Sequence, residues 1–480
     1  MPPGRSDARR RPRSRIASGA AIALAVLLVP SLAGARGQLT STPGQTGGAV
    51  ISTVAGTGEP GRSGDGGPAT EARIGHPRGL AIRADGSFLV TQPFDNAVRL
   101  VRSNGTVSTV AGTGVGGFSG DGGPATSATL DFVHGVAALP DGSFVLADMF
   151  NNRVRRVDAR GIITTAAGTG VAGYGGDGGA ATAALVNLPR GIAALPTGEI
   201  LLPDSSNHRV RRIGLDGRIT TVAGTGTAGS TGDGGPATAA TLDVPFGVAP
   251  LPDGGFLVVE RRGNRVRRVS PGGTIRTVAG TGAAGYSGDG GPATAAMLSS
   301  PHAVIALPDG GFLIADTLNH RVRRVDPAGM ITTLAGTGVA GFGGDGGPAA
   351  SALLDQPKAL ALRPDLRGVL VADAENDRVR LVRVDLRLPL LARFRLRAFS
   401  GTTRARPAVG LTLSRAASVE LTVLQGTRTI ARVRRSAPAG GTRLVLPARL
   451  AAGAYALRLV ARSGDGVVAR DRAALRIAAR

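Results

Sequence analysis

The sequence contains no cysteine and no tryptophan, and only three of its 480 residues are tyrosine. Without cysteine, the chain can form neither disulfides nor thiolate metal sites. Surfaces that stack sugars or nucleic-acid bases use aromatic side chains, so the composition favours neither kind of ligand. The sequence shows no motif for a nucleophile elbow, a zinc-protease helix, a phosphate-binding loop or a Ser-His-Asp triad. We therefore predict no catalytic residue, no metal ligand and no cofactor.

The chain is poor in acidic residues relative to basic ones, and its net charge at pH 7 is +23. Nearly all of the basic residues are arginine, since Lys358 is the only lysine. Such a balance indicates either an anionic partner or arginine-rich, solvated strand faces. The arginines recur at a fixed interval and form no single cluster, which favours solvated faces and argues against nucleic acid as a partner.

Glycine is abundant, at 75 residues, and falls at fixed positions of a repeat that returns every 56 residues. The phrase VAGTG, or a variant with one changed residue, begins at Val54, Val110, Ala166, Val222, Val278 and Leu334. A second phrase, GDGGPAT or a close variant, begins at Gly64, Gly120, Gly176, Gly232, Gly288 and Gly344. Six copies at a constant period predict an array of one supersecondary unit.

The first 35 residues have the features of a secretory signal peptide. Six arginines precede an apolar segment over 16–32, and Ala33, Gly34 and Ala35 supply the small-residue pattern that signal peptidase cleaves. The apolar run is short for a stable membrane span, so we expect none after cleavage, with a retained anchor as the alternative. We predict a signal peptide over 1–35 and a linker over 36–49. An exported chain meets neither ATP nor reducing power, which argues against kinase-like or nicotinamide chemistry.

Each repeat reads as four short antiparallel strands. In the second copy, the pattern predicts strands over 135–139, 144–147, 153–157 and 162–166, with turns between them and one helical turn within 180–185. Four such strands make one blade of a β-propeller. The first strand is expected at the central channel, because its second residue is small in every copy: Gly79, Gly135, Gly191, Gly247, Ala303 and Ala359.

The two ends of the array are unequal. A VAGTG strand over 51–55 precedes any complete blade, whereas the sixth copy, over 357–382, has three strands and no such phrase after them. Residues 51–55 should therefore supply the outermost strand of the sixth blade, which joins the ends of the domain and removes an open edge. The predicted fold is all-β, with a closed six-bladed propeller over 50–385.

The phrases ADMFNNRVRRV, PDSSNHRVRRI and ADTLNHRVRRV, at 147–157, 203–213 and 315–325, resemble NHL repeats. The glycine-rich version is similar to the NHL propellers of many exported bacterial proteins and of teneurins, and all six copies share it. This resemblance implies an NHL-type propeller. It implies less about activity, because function lies in sites grafted onto a fold. Members include binding and scaffold modules, extracellular sensor domains and a few enzymes, such as zinc-dependent amidating lyases and propeller lactonases and lyases.

After residue 400 the sequence changes to alternating strands, predicted over 407–413, 418–424, 429–434, 442–446, 454–461 and 473–477. This segment resembles the small Ig-like or fibronectin-III-like β-sandwiches that end many exported bacterial proteins. We predict a linker over 386–400 and a sandwich over 401–480, which would space or dock the propeller.

The residue that enters each innermost strand lies at one mouth of the channel and differs among the copies: Arg78, His134, Arg190, Phe246, His302 and Lys358. His134 and His302 lie three blades apart and should face each other across the axis. The resemblance to amidating lyases implies zinc ligation by histidine at this position, but only two of the six are histidine, and a catalytic zinc needs three ligands. The cations here disfavour a metal and suit a carboxylate, phosphate or sulfate. We take the six as candidate ligand-binding residues, with solvated or pore-filling side chains as the alternative.

Two sets of acidic residues also recur. Each glycine-rich loop carries one aspartate: Asp65, Asp121, Asp177, Asp233, Asp289 and Asp345. A single carboxylate per loop favours a turn or cap over calcium binding. Aromatic residues three positions earlier are expected to pin the loop to its blade: Phe118, Tyr174, Tyr286 and Phe342.

The second strands end in Asp148, Asp204, Glu260, Asp316 and Asp373, with Gln92 in the first copy. Their predicted partners on the third strand are Arg156, Arg212, Arg268 and Arg324, in pairs that fix register.

These features predict an exported, non-enzymatic binding or scaffold protein at the cell surface or outside the cell. Its partner would be a protein or an anionic cell-surface ligand, and we expect a monomer. Nearly invariant loops without an irregular insertion favour this reading. The alternative is a propeller lyase or hydrolase, amidating-lyase-like or lactonase-like, with its site at the channel mouth.

Overall fold

The computed structural model describes residues 49–386, 392–396, 408–413, 417–437, 440–446, 450–451, 453–462 and 468–477. The predicted signal peptide and all but the last residue of the 36–49 linker lie outside the described residues. Within the described part of the chain, no helix is long and apolar enough to cross a membrane.

Residues 49–386 form six four-stranded antiparallel sheets, one for each sequence repeat. The first sheet contains β2 (Gly79–Ile82), β3 (Phe88–Gln92), β4 (Ala97–Val101) and β5 (Val107–Ala111). The second contains β6 (Val133–Ala138), β7 (Phe144–Asp148), β8 (Arg153–Val157) and β9 (Ile163–Ala167). The third contains β10 (Ala193–Ala194), β11 (Ile200–Asp204), β12 (Arg209–Ile213) and β13 (Ile219–Ala223). The fourth contains β14 (Pro245–Pro250), β15 (Phe256–Glu260), β16 (Arg265–Val269) and β17 (Ile275–Ala279). The fifth contains β18 (Ala303–Ala306), β19 (Phe312–Asp316), β20 (Arg321–Val325) and β21 (Ile331–Ala335). The sixth contains β22 (Pro357–Leu362), β23 (Gly368–Asp373), β24 (Arg378–Arg383) and β1 (Val50–Ala55).

Short 3₁₀ turns of three residues occur in the connections. One set lies in the glycine-rich crossings between sheets: Ala69–Glu71, Ala125–Ser127, Ala181–Ala183, Ala237–Ala239, Ala293–Ala295 and Ala349–Ser351. The other lies between second and third strands: Pro93–Asp95, Ser205–Asn207, Thr317–Asn319 and Ala374–Asn376. The helical turn predicted within 180–185 is therefore present.

β1 pairs antiparallel with β24, which gives the sixth sheet the order β1-β24-β23-β22. In each crossing, the backbone of the glycine-rich loop bonds to the outermost strand of the next sheet, as at Ile163. Gly346 and Gly347 bond to Ile51 in the same way, at 2.8 and 3.1 Å. The predicted pairing of residues 51–55 with the sixth repeat is thus found in the structure.

Neighbouring sheets share apolar cores. The first and second sheets meet around Leu89, Leu130 and Leu146, and equivalent clusters join each later pair. Another cluster contains Val90 and Leu370 and joins the first sheet to the sixth. Each sheet is therefore packed between two others.

The third strand of every sheet carries a fully buried arginine: Arg99, Arg155, Arg211, Arg267, Arg323 and Arg380. Its guanidinium contacts the acidic residue that ends the second strand, as Arg155 does with Asp148 at 3.2 Å. In the first copy, Arg99 donates instead to Gln92, at 3.1 Å.

The predicted partners of these acidic residues were therefore wrong by one position. Arg156 pairs with Asp141 at the surface. Arg212, Arg268 and Arg324 likewise pair with Glu199, Asp253 and Asp309. Successive side chains of a strand point to opposite faces, so a shift of one residue exchanges a buried ion pair for a surface pair.

The loop aspartates contact the same buried arginines. Asp121 lies 2.7 Å from Arg155, and the other five copies show this contact at 2.5–2.6 Å. The structural role predicted for these aspartates is present, but as an ion pair, since the 3₁₀ turn has no side-chain cap. The ring of Phe118 lies 4.7 Å from the Arg155 guanidinium, and Tyr174, Tyr286 and Phe342 repeat this stacking. The aromatic residues thus pin the loop as predicted.

A side chain in each second-to-third-strand turn links adjacent repeats. These residues have a left-handed backbone, with φ from 44 to 52°: Asn96, Asn152, His208, Asn264, His320 and Asp377. Asn96 Oδ1 accepts a hydrogen bond from the Phe132 amide at 2.8 Å. His208 and His320 occupy the same place, with Nδ1 3.3 and 3.2 Å from the next repeat's amide nitrogen. These two histidines are therefore framework residues.

Burial of the acidic partners predicts a pH-dependent stability. Desolvation raises the pKa of Glu260 to about 7 from its ordinary value of 4.5, against the opposing effect of Arg267. Between pH 4.5 and 7 the folded state retains a proton that the unfolded state releases, so stability falls as pH rises through this window. We expect Glu260→Gln, which copies Gln92 of the first repeat, to reduce this fall by up to about 3 kcal/mol.

The measurement is the melting temperature from pH 4.5 to 8 by circular dichroism. Glu199→Gln is the matched control, because the hydrogen bond from Arg212 lowers the pKa of that partly exposed carboxyl. Equal pH profiles for Glu260→Gln and the wild type would contradict the prediction.

The described residues beyond 386 form two further sheets. One contains β25 (Ala392–Leu396), β26 (Ala408–Leu413) and β29 (Gly440–Val445), in the order β25-β26-β29. The other contains β27 (Ala417–Gln425), β28 (Arg428–Ala437), β30 (Gly453–Arg462) and β31 (Val468–Ile477), in the order β28-β27-β30-β31. β25 lies within the predicted 386–400 linker, where its alternating sequence ARFRL pairs with β26. The six strands predicted after residue 400 correspond to β26–β31.

Candidate functional site

The first strands of all six sheets line one cavity of about 480 Å³. A Cβ atom on Gly191 would lie 2.1 Å from the Phe246 carbonyl oxygen of the neighbouring strand. Gly79, Gly135 and Gly247 would each meet an equivalent carbonyl at 2.5 Å. Glycine at this position therefore allows the inner strands to approach closely, as the sequence predicted.

The wall of the cavity is apolar beyond its mouth. The residues that line it there include Leu80, Val136, Ile192, Val248, Val304 and Leu360. Five of the six predicted mouth residues line the cavity at one end, and Arg190 lies just outside them. Polar chemistry is thus concentrated where the second-to-third-strand turns surround the channel.

Phe246 fills the centre of this mouth. Its ring centroid lies 5.0 Å from that of His134 and 4.4 Å from that of His302, with edge-to-face geometry in both pairs. The sequence predicted that the two histidines face each other across the axis. In the structure, the ring of Phe246 lies between them. All three side chains are buried.

Cations surround the Phe246 ring. The guanidinium of Arg190 lies 5.1 Å from the ring centroid and that of Arg261 lies 5.5 Å from it. Burial, with repulsion from Arg261, Arg78 and Arg262, lowers the pKa of Arg190 to about 10, which leaves it charged at pH 7. Arg261 has similar surroundings, since burial and the charge of Arg262 lower its pKa.

Lys358, in contrast, has acidic neighbours. Its Nζ donates to Glu375, whose other oxygen lies 3.5 Å from Nε2 of His76. His76 also contacts Asp377 at 3.3 Å. The sixth repeat thus neutralises its own cation. Burial lowers the pKa of Arg78 and the charge of Glu375 opposes this effect, so the excess positive charge of the mouth lies on Arg190 and Arg261.

His134 and His302 are both neutral at pH 7. Burial, reinforced by nearby cations, lowers the pKa of each ring well below 6.5. Nδ1 of His302 lies 2.7 Å from Thr317 Oγ1, which donates to the Pro357 carbonyl. Nδ1 must therefore be the donor, and Nε2 of His302 carries the lone pair. Nε2 of His134 is buried without a hydrogen-bond partner among the described residues.

The described part of the chain contains no cluster of three His, Asp or Glu side chains that could hold a metal ion. What the mouth offers is a set of guanidinium donors around an aromatic ring, together with two neutral imidazoles. Guanidinium groups bind carboxylate, phosphate and sulfate oxygens through paired hydrogen bonds.

Three mouth residues were absent from the sequence prediction: His76, Arg261 and Glu375. They lie just before the first strand or in the second-to-third-strand turns, and packing alone brings them to the channel. These positions also differ from copy to copy. A search for divergent positions along the whole repeat, rather than at the inner strand only, could have found them.

No protein-family model matches the chain. Over 250 residues, 49% of the chain, it is 27% identical to Protein SUPPRESSOR OF QUENCHING 1, chloroplastic, of Arabidopsis thaliana. Over 233 residues, 43% of the chain, it is 31% identical to Teneurin-1 of Mus musculus. The chain spans only 23% and 8% of the lengths of these two curated relatives.

Solved structures give a broader likeness. The crystal structure of an auxiliary nutrient binding protein from Bacteroides thetaiotaomicron matches 70% of this chain and 76% of its own, with a TM-score of 0.51 and 17% identity. At this identity the likeness shows the fold alone. The chain is therefore an all-β, propeller-like repeat protein with a further β region at its C-terminal end.

Proposed function

We propose that this chain is an exported binding or scaffold protein that recognises an anionic group at one mouth of a closed, six-bladed NHL-type propeller. In this proposal, the signal peptide spans 1–35, the linker 36–49 and the propeller 50–385, and an Ig-like sandwich begins near β25. The pairing of β1 with β24 and the shared core of the first and sixth sheets support ring closure. The protein would act as a monomer outside the cell or in its envelope.

The arrangement of Arg190 and Arg261 carries this proposal. Their charges converge on Phe246, and burial together with the charges of neighbouring arginines lowers the pKa of both. Nearby, Nε of Arg78 is buried without a hydrogen-bond partner among the described residues. Clustered cations that lack carboxylates repel one another, and an anionic ligand would relieve that repulsion and supply acceptors.

One structural neighbour is described as a nutrient binding protein, which is compatible with ligand binding on this fold. A lyase or hydrolase at the mouth remains the second candidate, because His302 lines the cavity with one nitrogen unprotonated. That candidate requires turnover that His302→Ala abolishes.

Polyanions are expected to raise the melting temperature of the wild type by about 3 °C or more, through preferential binding to the folded state. Polyglutamate, polyphosphate and dextran sulfate are the probes, and circular dichroism follows melting. We expect Arg190→Glu to abolish the shift because it places a carboxylate among the cations.

Arg102→Glu is the matched control, since it makes the same charge change on an exposed hairpin at the opposite end of the first blade. It should retain most of the shift. Equal losses in the two variants, or no shift in the wild type, would refute recognition at the mouth.

A further inference from the structure

We propose that the mouth continues onto an aromatic surface that docks an acidic segment of a partner polypeptide, in which apolar side chains alternate with carboxylates. We call this surface the Phe patch and define it as Phe94, Phe132 and Phe150. The inference rests on the proposed function and assigns its partner class.

The Phe patch is a continuous cluster on the first two repeats. The ring centroids of Phe94 and Phe132 lie 5.2 Å apart, edge to face, and those of Phe132 and Phe150 lie 4.8 Å apart. Phe94 is 58% exposed and Phe150 is 50% exposed. Contiguous exposed apolar surface of this kind marks interaction sites on soluble proteins.

The fold does not require these phenylalanines. Phe94 and Phe150 are equivalent positions in successive second-to-third-strand turns, and the later repeats place Ser206, Arg262, Leu318 and Glu375 there. The last residue of the turn has a left-handed backbone conformation in all six copies, whichever side chain stands at this position. The aromatic side chains therefore serve something other than the framework.

Arg78 connects the Phe patch to the cationic mouth. Its guanidinium lies 5.4 Å from the ring centroid of Phe94 and 5.3 Å from that of Phe132. The same residue lines the channel cavity, and its Nε is buried without a partner among the described residues. A ligand that fits both features carries anionic groups beside apolar groups, and in an unmodified polypeptide those anions are carboxylates.

A polypeptide fits this surface better than a polysaccharide or a nucleic acid. Phenylalanine offers no hydrogen-bonding group to sugar hydroxyls, and the Phe patch contains neither tyrosine nor tryptophan. Arg78 lies over both Phe94 and Phe132, which leaves less open ring face for base stacking. Aromatic residues and arginine are the side chains enriched at protein interfaces.

The test uses two fluorescein-labelled peptides of equal length and charge, one with three Glu-Phe-Glu units and one with three Glu-Ser-Glu units. Fluorescence anisotropy measures their affinity for the full-length protein. We expect the wild type to bind the Phe peptide at least tenfold more tightly. The double variant Phe94→Ala, Phe150→Ala should bind both peptides equally.

Leu215→Ala is the matched control, because it removes a 73% exposed apolar side chain from a hairpin at the other end of the third blade. It should keep the tenfold preference. Should the double variant fail to melt cooperatively, the single variant Phe150→Ala replaces it and should lose most of the preference.

Equal affinities for the two peptides, together with an intact polyanion shift, would overturn the Phe patch and leave anion recognition standing. Loss of the polyanion shift as well would remove both proposals. Tighter binding of polygalacturonate or oligo(dT) than of the Phe peptide, with dependence on Phe94, would overturn the assignment to a polypeptide.

Discussion

Replacing Arg323 by alanine is expected to lower the free energy of unfolding by about 3–5 kcal/mol. Arg323 is fully buried and contacts Asp316 at 3.1 Å and Asp289 at 2.6 Å. The variant leaves the fully buried Asp316 carboxylate without its cation and removes one of the two guanidinium groups that stack on Tyr286, the other being that of Arg321. An uncompensated buried charge is among the most destabilising defects in a folded protein.

Arg324→Ala is the control and should cost no more than about 1 kcal/mol, because Arg324 is partly exposed and pairs with Asp309 away from the buried Asp316. Urea unfolding followed by far-ultraviolet circular dichroism provides the comparison, since the chain has no tryptophan. The double variant Asp316→Leu, Arg323→Met should recover only part of the loss, because it also removes the acceptor for the Ser299 amide and the Asn319 side chain. Similar losses for Arg323→Ala and Arg324→Ala would show that the buried pair does not stabilise the blade.

We expect the second large loss of stability at the pairing of β1 with β24, where the two ends of the repeat array meet. Ile51→Asp should lower the free energy of unfolding by more than about 4 kcal/mol. Ile51 is fully buried with Leu313, Leu354 and Val371 between the fifth and sixth sheets. Aspartate there loses apolar burial and places a charge in that core. It would also detach β1 and leave the edge of β24 unpaired.

Ser52→Asp places the same side chain one residue later, on the opposite face of β1. Arg383 donates to Ser52 at 3.1 Å, so the new carboxylate meets a cation and should change stability by less than about 1 kcal/mol. Melting temperature and protease resistance of residues 49–60 are the measurements. If Ile51→Asp melts like the wild type, β1 does not secure the sixth sheet.

Strand positions were predictable because they depend on local pattern. In the second repeat, the predicted 144–147 and 153–157 strands match Phe144–Asp148 and Arg153–Val157 closely. Local pattern did not decide which of two neighbouring arginines is buried: the sequence pointed to Arg156, whereas Arg155 pairs with Asp148. Alternation places the two side chains on opposite faces, but only the position of the preceding glycine-rich loop, which brings Asp121 to Arg155, decides which face is buried.

The sequence by itself determined the repeat, the number of strands, the outermost strand supplied by residues 51–55 and the six divergent residues of the inner strands. These features follow from periodicity and turn chemistry, which are written in neighbouring residues. Only the tertiary structure decided that Phe246 lies between His134 and His302. It likewise brought Arg261 to the mouth and joined the Phe patch to Arg78. Those contacts connect residues from different blades, and their distances depend on how the sheets pack, which no single repeat encodes.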